Sequence, residues 1–305
     1  MVPTRLRDAW RVQFVLLAAT WGSSFLFIKV LGEHWSALWV ALARVALGAL
    51  TLVALVRIRG ERVPLGRHLF VAAILFNTVP FTLFAYGEQH VSSIVAGLWN
   101  ATTPLWVLVA AWTVFTEERP SRVKAVGLGI GFAGVALLLG PWRGVGSGEV
   151  VGNLACAGAA LCYGLGFPYT RRYLAGRPES GVALASGQLV CATIELAIFV
   201  PFARAPTVHI GLDGLGSLLA LGILGSGIAY VLNYSIVRAA GSAIASTVTY
   251  VIPVFATVLG AAVLGETLHW NQAVGTLVLL AGIAVSQGVF ARWKRRRRDY
   301  VRDPA

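Results

Sequence analysis

The sequence predicts an all-α integral membrane protein of ten transmembrane helices, built as two inverted five-helix repeats around a central cavity. Three observations predict it. Only 12% of the 305 residues are charged, 57% are hydrophobic and the mean hydropathy is +0.74, whereas an average soluble chain is about 25% charged. The apolar residues fall in ten runs of about 20, the length that crosses a bilayer core. The second five runs echo the first five. This composition excludes an ordinary soluble domain, whose surface it could not cover. It equally excludes disorder, coiled coil and collagen, which need high charge, heptads or a strict glycine period.

The runs follow in order. Val12–Leu31 comes after Arg5, Arg7 and Arg11, but it is too long for a signal peptide and is read as an uncleaved anchor. Trp35–Val56 and Leu69–Tyr86 come next, then Val91–Phe115, which Pro104 is expected to kink. Val123–Gly140 carries Gly127, Gly129, Gly131 and Gly134, which permit close helix approach and leave both internal packing and a homodimer open. The second half reads Val151–Tyr169, Gly181–Phe202, Leu215–Ile236, Ser242–Leu264 with Pro253, and Gln272–Phe290. Helices are expected because backbone in lipid must bond within its own segment, and the runs lack the alternation of barrel strands. Trp10, Trp35, Trp142, Trp270 and Trp293 fall at run ends, as aromatic belts do. Cys156, Cys162 and Cys191 lie inside runs without metal spacing and are read as packing residues.

The cations set the orientation. With the N-terminus in the cytoplasm, 21 of the 25 Lys and Arg fall on the inner side. Only Arg143 and Arg204 fall outside, and Lys29 and Arg44 lie within runs. This positive-inside bias places both termini in the cytoplasm of a multi-pass cell-membrane protein. The basic run Lys294–Arg298, in a tail over residues 291–305, is expected to meet anionic lipid headgroups rather than nucleic acid.

A shift of 149 residues lays "SSIVAGLWNATTPLWVLVAAWTVFTEE" over "GSAIASTVTYVIPVFATVLGAAVLGET", with Pro104 on Pro253 and Glu117 on Glu266. A shift of 142 lays Trp21 on Tyr163, Gly22 on Gly164 and Phe25 on Phe167. The halves are therefore residues 1–140 and 141–290. An odd number of spans per half inverts the second, an arrangement typical of secondary transporters with a site near the midplane.

Several segments together resemble the drug/metabolite transporter superfamily, EamA type. They are "WGSSF" in the first run, Pro104 and "EER" in and after the fourth, the glycine-rich fifth, and "YVIPVFATVLGAAVLGETL" in the ninth. The resemblance spans nearly the whole chain as two tandem repeats. It implies a ten-helix basket with helices one, three, four, six, eight and nine around a cavity and five and ten peripheral. It also implies export of amino acids, metabolites or drugs, and leaves the substrate open. No counterpart of Arg44 is evident in the seventh run.

Polar residues inside spans must be paired or face water or protein. Ser93, Asn100 and Thr103 share a face with Pro104, and their repeat partners are Ser242, Thr249, Ile252 and Pro253, with Ser246 alongside. Asn77 and Phe81 share a face of the third run and correspond to Ser226 and Tyr230, followed by Asn233. With the aromatics Trp21, Trp99, Tyr163 and Tyr250 these are the candidate lining of a substrate site. The competing reading is that they bond neighbouring helices or their own backbone.

Arg44 and Glu195 are the deep ionisable residues. By helical rise they lie at similar depth, and a buried pair or shared network is expected. The functional alternatives are a substrate carboxylate on Arg44 or a coupling proton on Glu195. Lys29 is expected to snorkel. Glu117 and Glu266 are each expected to cap the helix that follows. Glu88 and the histidines 34, 68, 90, 209 and 269 lack zinc-type spacing and are expected to be solvated. No cofactor is expected, and an ATP-driven pump within this chain is excluded because no phosphate-binding glycine loop occurs. The rival to a secondary transporter is a membrane-embedded enzyme on a lipid or lipid-linked substrate. It would need clustered His, Asp or Cys near an interface, and they are scattered.

Overall fold

The computed structural model describes residues 4–115, 121–140, 146–206, 211–240 and 247–286, and among these every regular element is helical. The elements are α1 (Thr4–Gly32), α2 (Ala37–Ile58), α3 (Arg67–Gly87), α4 (Ser93–Thr113), α5 (Arg122–Leu139), α6 (Ser147–Tyr173), α7 (Gly181–Phe202), α8 (Gly211–Ile236), α9 (Val248–Leu264) and α10 (Trp270–Ser286). The first eight are long and apolar enough to cross a membrane; α9 and α10, 17 residues each, are apolar but shorter. The protein is a multi-pass membrane protein. Outward-facing Leu50, Phe202 and Leu277, 66%, 87% and 68% exposed, suit a lipid environment and would be a liability in water. Glu117, Ser242, Ser246, Trp142, Trp293, His209 and the tail with Lys294–Arg298 lie outside the described residues.

Local chemistry accounts for the helix ends. Ser92, Ser121 and Ser180 precede α4, α5 and α7 in extended backbone, and each hydroxyl accepts from an amide three residues on. Gly140 and Gly265 close α5 and α9 in the left-handed region, at φ 56° and 66°. Pro104 loosens α4 into a turn at Ala101–Thr102. The Thr102 and Thr103 hydroxyls there donate to the carbonyls of Trp99 and Asn100. Pro253, by contrast, stands inside an unbroken helix. Both α3 and α8 contain a π-helical stretch, Ile74–Thr78 and Ala220–Ile228. The repeat shift of 149 carries the first stretch into the second, so the two widenings are equivalent. Such widenings free backbone groups and recur at functional sites.

Lipid tails give helices no hydrophobic drive to associate, so close packing and hydrogen bonds must hold them together. Two contacts show both kinds of packing. On α2, Ala41, Val45, Ala49 and Leu52 pack against Ala185, Leu189, Ala192 and Leu196 of α7. Between α5 and α10 the glycines let backbone meet backbone. A Cβ added at Gly127 would stand 2.4 Å from the amide nitrogen of Ser286, at Gly134 2.4 Å from that of Leu279, at Gly275 2.5 Å from that of Leu138, and at Gly282 2.4 Å from that of Gly131. The register is antiparallel. It is also self-consistent under the repeat: Gly127 meets Gly282 as Gly275 meets Gly134. The fifth-span glycines are thus engaged within the chain, except Gly129, which faces open space.

Candidate functional site

At mid-span the helices leave a central cavity of ≈ 840 Å³, a volume that includes its open mouth. Helices α1, α3, α4, α6, α8 and α9 line it, as the resemblance implies, and α2 adds one side chain, Arg44. From α1 come Trp21, Ser24, Phe25 and Ile28; from α3, Phe76, Phe81 and Phe84. Asn100 and Thr103 come from α4, Tyr163 and Phe167 from α6, and Tyr230, Asn233, Thr249 and Ile252 from α8 and α9. Twelve of these sixteen form six repeat-equivalent pairs: Trp21/Tyr163, Phe25/Phe167, Phe81/Tyr230, Phe84/Asn233, Asn100/Thr249 and Thr103/Ile252. Both halves therefore offer the same positions to one space.

The walls are aromatic and mutually braced. Phe25 and Phe84 meet edge to face at 5.5 Å, as do Phe76 and Phe167 at 5.1 Å, and Phe76 stacks on Tyr163 at 5.9 Å. Trp21 donates its indole N–H to the carbonyl of Gly225, inside the π-helical stretch of α8, at 3.2 Å.

Behind the walls a polar layer fixes the rings. Gln188 Nε2 donates to Asn77 Oδ1 at 2.6 Å, and Asn77 Nδ2 donates to the Tyr230 hydroxyl at 3.0 Å. At the positions matched by the sequence register, Arg44 Nε donates to Ser226 Oγ at 2.8 Å, and the guanidinium lies over the Phe81 ring, 3.7 Å from its centroid. Asn77 and Ser226 are repeat partners, as are Tyr230 and Phe81. Aligning the helix starts Ala37 and Gly181, each preceded by a serine, sets Arg44 on Gln188. The counterpart of Arg44 that sequence comparison lacks is therefore Gln188, an uncharged donor in the same role. Asn77 and Ser226 sit behind the cavity surface and act as anchors for lining groups.

The expected Arg44–Glu195 pair does not form. Leu189 and Leu196 of α7 belong to the core shared with α2, and Glu195 stands about 100° around the helix from Leu196. It is turned toward α3, where its Oε2 accepts from the Thr78 hydroxyl. Arg44 is on the face of α2 that meets α8: one turn on, a Cβ at Gly48 would stand 2.7 Å from Ser226 Cβ. Helical rise predicts similar depth for these charges, but the packing sets them on different interfaces.

Trp99 and Tyr250 also miss the cavity. Each lies about 100° from a lining neighbour, Asn100 or Thr249. Trp99 instead donates to Asn153 Oδ1 of α6 at 2.8 Å. Sequence reasoning missed Ser24, Phe25, Ile28, Phe76, Phe84 and Phe167. It sought polar groups in spans, and a cavity phenylalanine looks like a lipid-facing one. Repeat equivalence is the signal that would find Phe25 and Phe167.

At the end of the bundle where α3 stops, three carboxylate and amine expectations change. Lys29 does not snorkel; its Nζ donates to the main-chain carbonyls of Glu88 and Val91 at 2.5 and 2.9 Å. Glu266 caps not α10 but α4, accepting from Ser93 N, Ser93 Oγ and Ile94 N at 2.8, 2.8 and 3.0 Å. The left-handed Gly265 turns the chain back over α4, while α10 is capped by Gln272, which accepts from His269 N at 3.0 Å. Glu88 is not solvated. It is 1% exposed, and both carboxylate oxygens lack a hydrogen-bond partner.

Burial pushes the Glu88 carboxyl well above its ordinary value of 4.5, against the opposing pull of Lys29. The folded protein then keeps a proton that the unfolded chain releases. Stability is intact below the ordinary carboxylate range and declines as pH rises through it toward the raised value. Glu88→Gln is expected to match the wild type's thermal midpoint in acidic buffer and to exceed it in mildly alkaline buffer. A parallel decline of both proteins with pH would contradict the buried proton.

Comparison with known proteins bears on the whole chain. The EamA-like transporter family matches residues 9–140 and again residues 150–287. An uncharacterized transporter of Archaeoglobus fulgidus is 27% identical over 278 residues, covering 90% of this chain and 98% of its own. The uncharacterized inner membrane transporter YedA of Escherichia coli is 28% identical over 283 residues, 88% of each chain, and the uncharacterized transporter YvbV of Bacillus subtilis is 25% identical over 289 residues, 92% of each. A crystal structure sharing 21% of residues superposes on 94% of this chain and 99% of its own with a TM-score of 0.64, a likeness of fold.

Proposed function

Because the chain belongs to the EamA-like transporter family, we infer that it is a secondary transporter that moves small metabolites, amino acids or drugs across the cytoplasmic membrane by alternating access. The family and the relatives above are named as transporters, not enzymes. The observation that carries the reading is the mid-span cavity to which equivalent residues of two matched halves contribute. Two such halves, inverted across the membrane, can rock about a shared site and open it to each side in turn. The antiparallel pairing of the equivalent helices α5 and α10 supports that inversion. Efflux is the direction the resemblance implies, and the cation bias supports cytoplasmic termini.

The test is flux in proteoliposomes against a panel of amino acids, nucleosides, sugars, organic acids and cationic drugs, with and without a pH gradient. Saturable flux of at least one solute, trans-stimulated by the same solute on the far side, is the expected result. Absence of flux for the whole panel would overturn the reading.

A further inference from the structure

We propose that the central cavity takes a small organic carboxylate with an apolar or aromatic body, and that Arg44 is the group that holds the carboxylate. The proposal rests on the transporter reading of that cavity. Among the sixteen lining residues Arg44 is the one that carries a charge; the rest are aromatic, aliphatic, hydroxyl or amide. It is 6% exposed. Among the described residues no carboxylate lies within 4.0 Å of it. Glu195 is turned to Thr78, and Glu88 lies beyond ion-pair distance at the α3 terminus.

A guanidinium does not escape burial by losing its proton, as a lysine can. An unpaired charge in a low-dielectric site is strongly unfavourable. The protein nonetheless positions this one. Ser226 takes the Nε–H and the Phe81 face carries the plane. Among the described residues the two terminal nitrogens make no hydrogen bond to the protein, and they keep open surface at the cavity. A guanidinium fixed at its base with its terminal fork free is arranged for two parallel bonds to a carboxylate. Its geometry is set before the ligand arrives.

The remaining wall selects the body. The rings of Trp21, Phe76, Phe84 and Tyr163 offer faces and edges to an apolar or aromatic group. A hydrated inorganic anion would satisfy Arg44 but leave those rings in poor contact. A simple amine would meet the rings and be repelled by Arg44, with no carboxylate on the wall to offset it. The equivalent position in the other half is the neutral Gln188, bonded to Asn77, so the site has one anion-binding side.

The experiment measures thermal stabilisation of purified protein, and separately counterflow in proteoliposomes. Probes are matched sets: phenylacetate, benzoate and hexanoate, the corresponding amides, phenethylamine, and chloride. The acids are expected to raise the wild-type thermal midpoint at concentrations where amides, amine and chloride do not. Arg44→Gln is expected to bind the acids about tenfold to a hundredfold more weakly. Ser226→Ala, which frees the base of the guanidinium, is expected to weaken acid binding while leaving the protein folded. The proposal falls if no acid stabilises the wild type, if amides, the amine or chloride do so equally, or if folded Arg44→Gln keeps the full response. Flux of neutral or cationic solutes that the acids do not inhibit leaves the transporter reading standing and overturns the carboxylate. Acid binding that depends on Arg44 without any flux upholds the site and overturns transport.

Discussion

Gly134→Ala is expected to force α5 and α10 apart and to cause a large loss of folded protein. The new Cβ would stand 2.4 Å from the amide nitrogen of Leu279 and 2.8 Å from the carbonyl oxygen of Gly275, so backbone rather than a flexible side chain must move. Overpacking of this kind costs about 1–3 kcal/mol. The antiparallel register couples the site to Gly127, Gly275 and Gly282, so the strain is passed along the pair. Gly129→Ala lies on the same helix with nothing within 4 Å. It is expected to be neutral and controls for helix propensity, which favours alanine. Size-exclusion profiles and thermal midpoints in detergent separate the two. Equal behaviour of the two variants would show that the glycine contact does not hold α5 to α10.

The second large effect is expected at Glu266. Its carboxylate accepts three hydrogen bonds at the start of α4, two of them from backbone amides with no partner within the helix. Negative charge is also favoured at that helix terminus. Glu266→Ala removes all of this and leaves partly buried donors unsatisfied, a loss of about 1–3 kcal/mol. Ser93→Ala removes one of the bonds. The double variant is expected to cost less than the two single losses added together, since both act on one cluster. Thermal midpoints of the four proteins test this, and strict additivity would place Glu266 elsewhere in the energetics. Because the bond joins the end of α9 to the start of α4, amide exchange at Ser93 and Ile94 is expected to rise in Glu266→Ala.

Much of the cavity was readable from the sequence through the repeat. Asn100 and Thr249, Phe81 and Tyr230, and Trp21 and Tyr163 pair by register, and all six line the space. Asn77 and Ser226 were readable as matched polar groups at matched depth, but not as anchors behind the surface. Trp99 shows the limit of choosing by residue type: its indole bonds to Asn153 while its neighbour Asn100 meets the cavity. Glu266 shows another limit. The sequence places it just before a helix, yet the turn at Gly265 delivers it to a helix more than 170 residues away in the chain.

Composition and hydropathy alone determined that this chain belongs in a membrane. The repeat register alone determined which residues of the two halves are equivalent. Tertiary structure alone decided which neighbour each helix face meets. The helical period fixes the faces of one helix relative to one another, and nothing in it says what stands opposite. That depends on where small residues let backbones close up, as Gly48 does for α2 on α8 and Gly134 for α5 on α10. So Arg44 and Glu195, expected at similar depth and opposite in charge, lie on separate interfaces, and the arginine reaches the cavity with no carboxylate among the described residues within 4.0 Å.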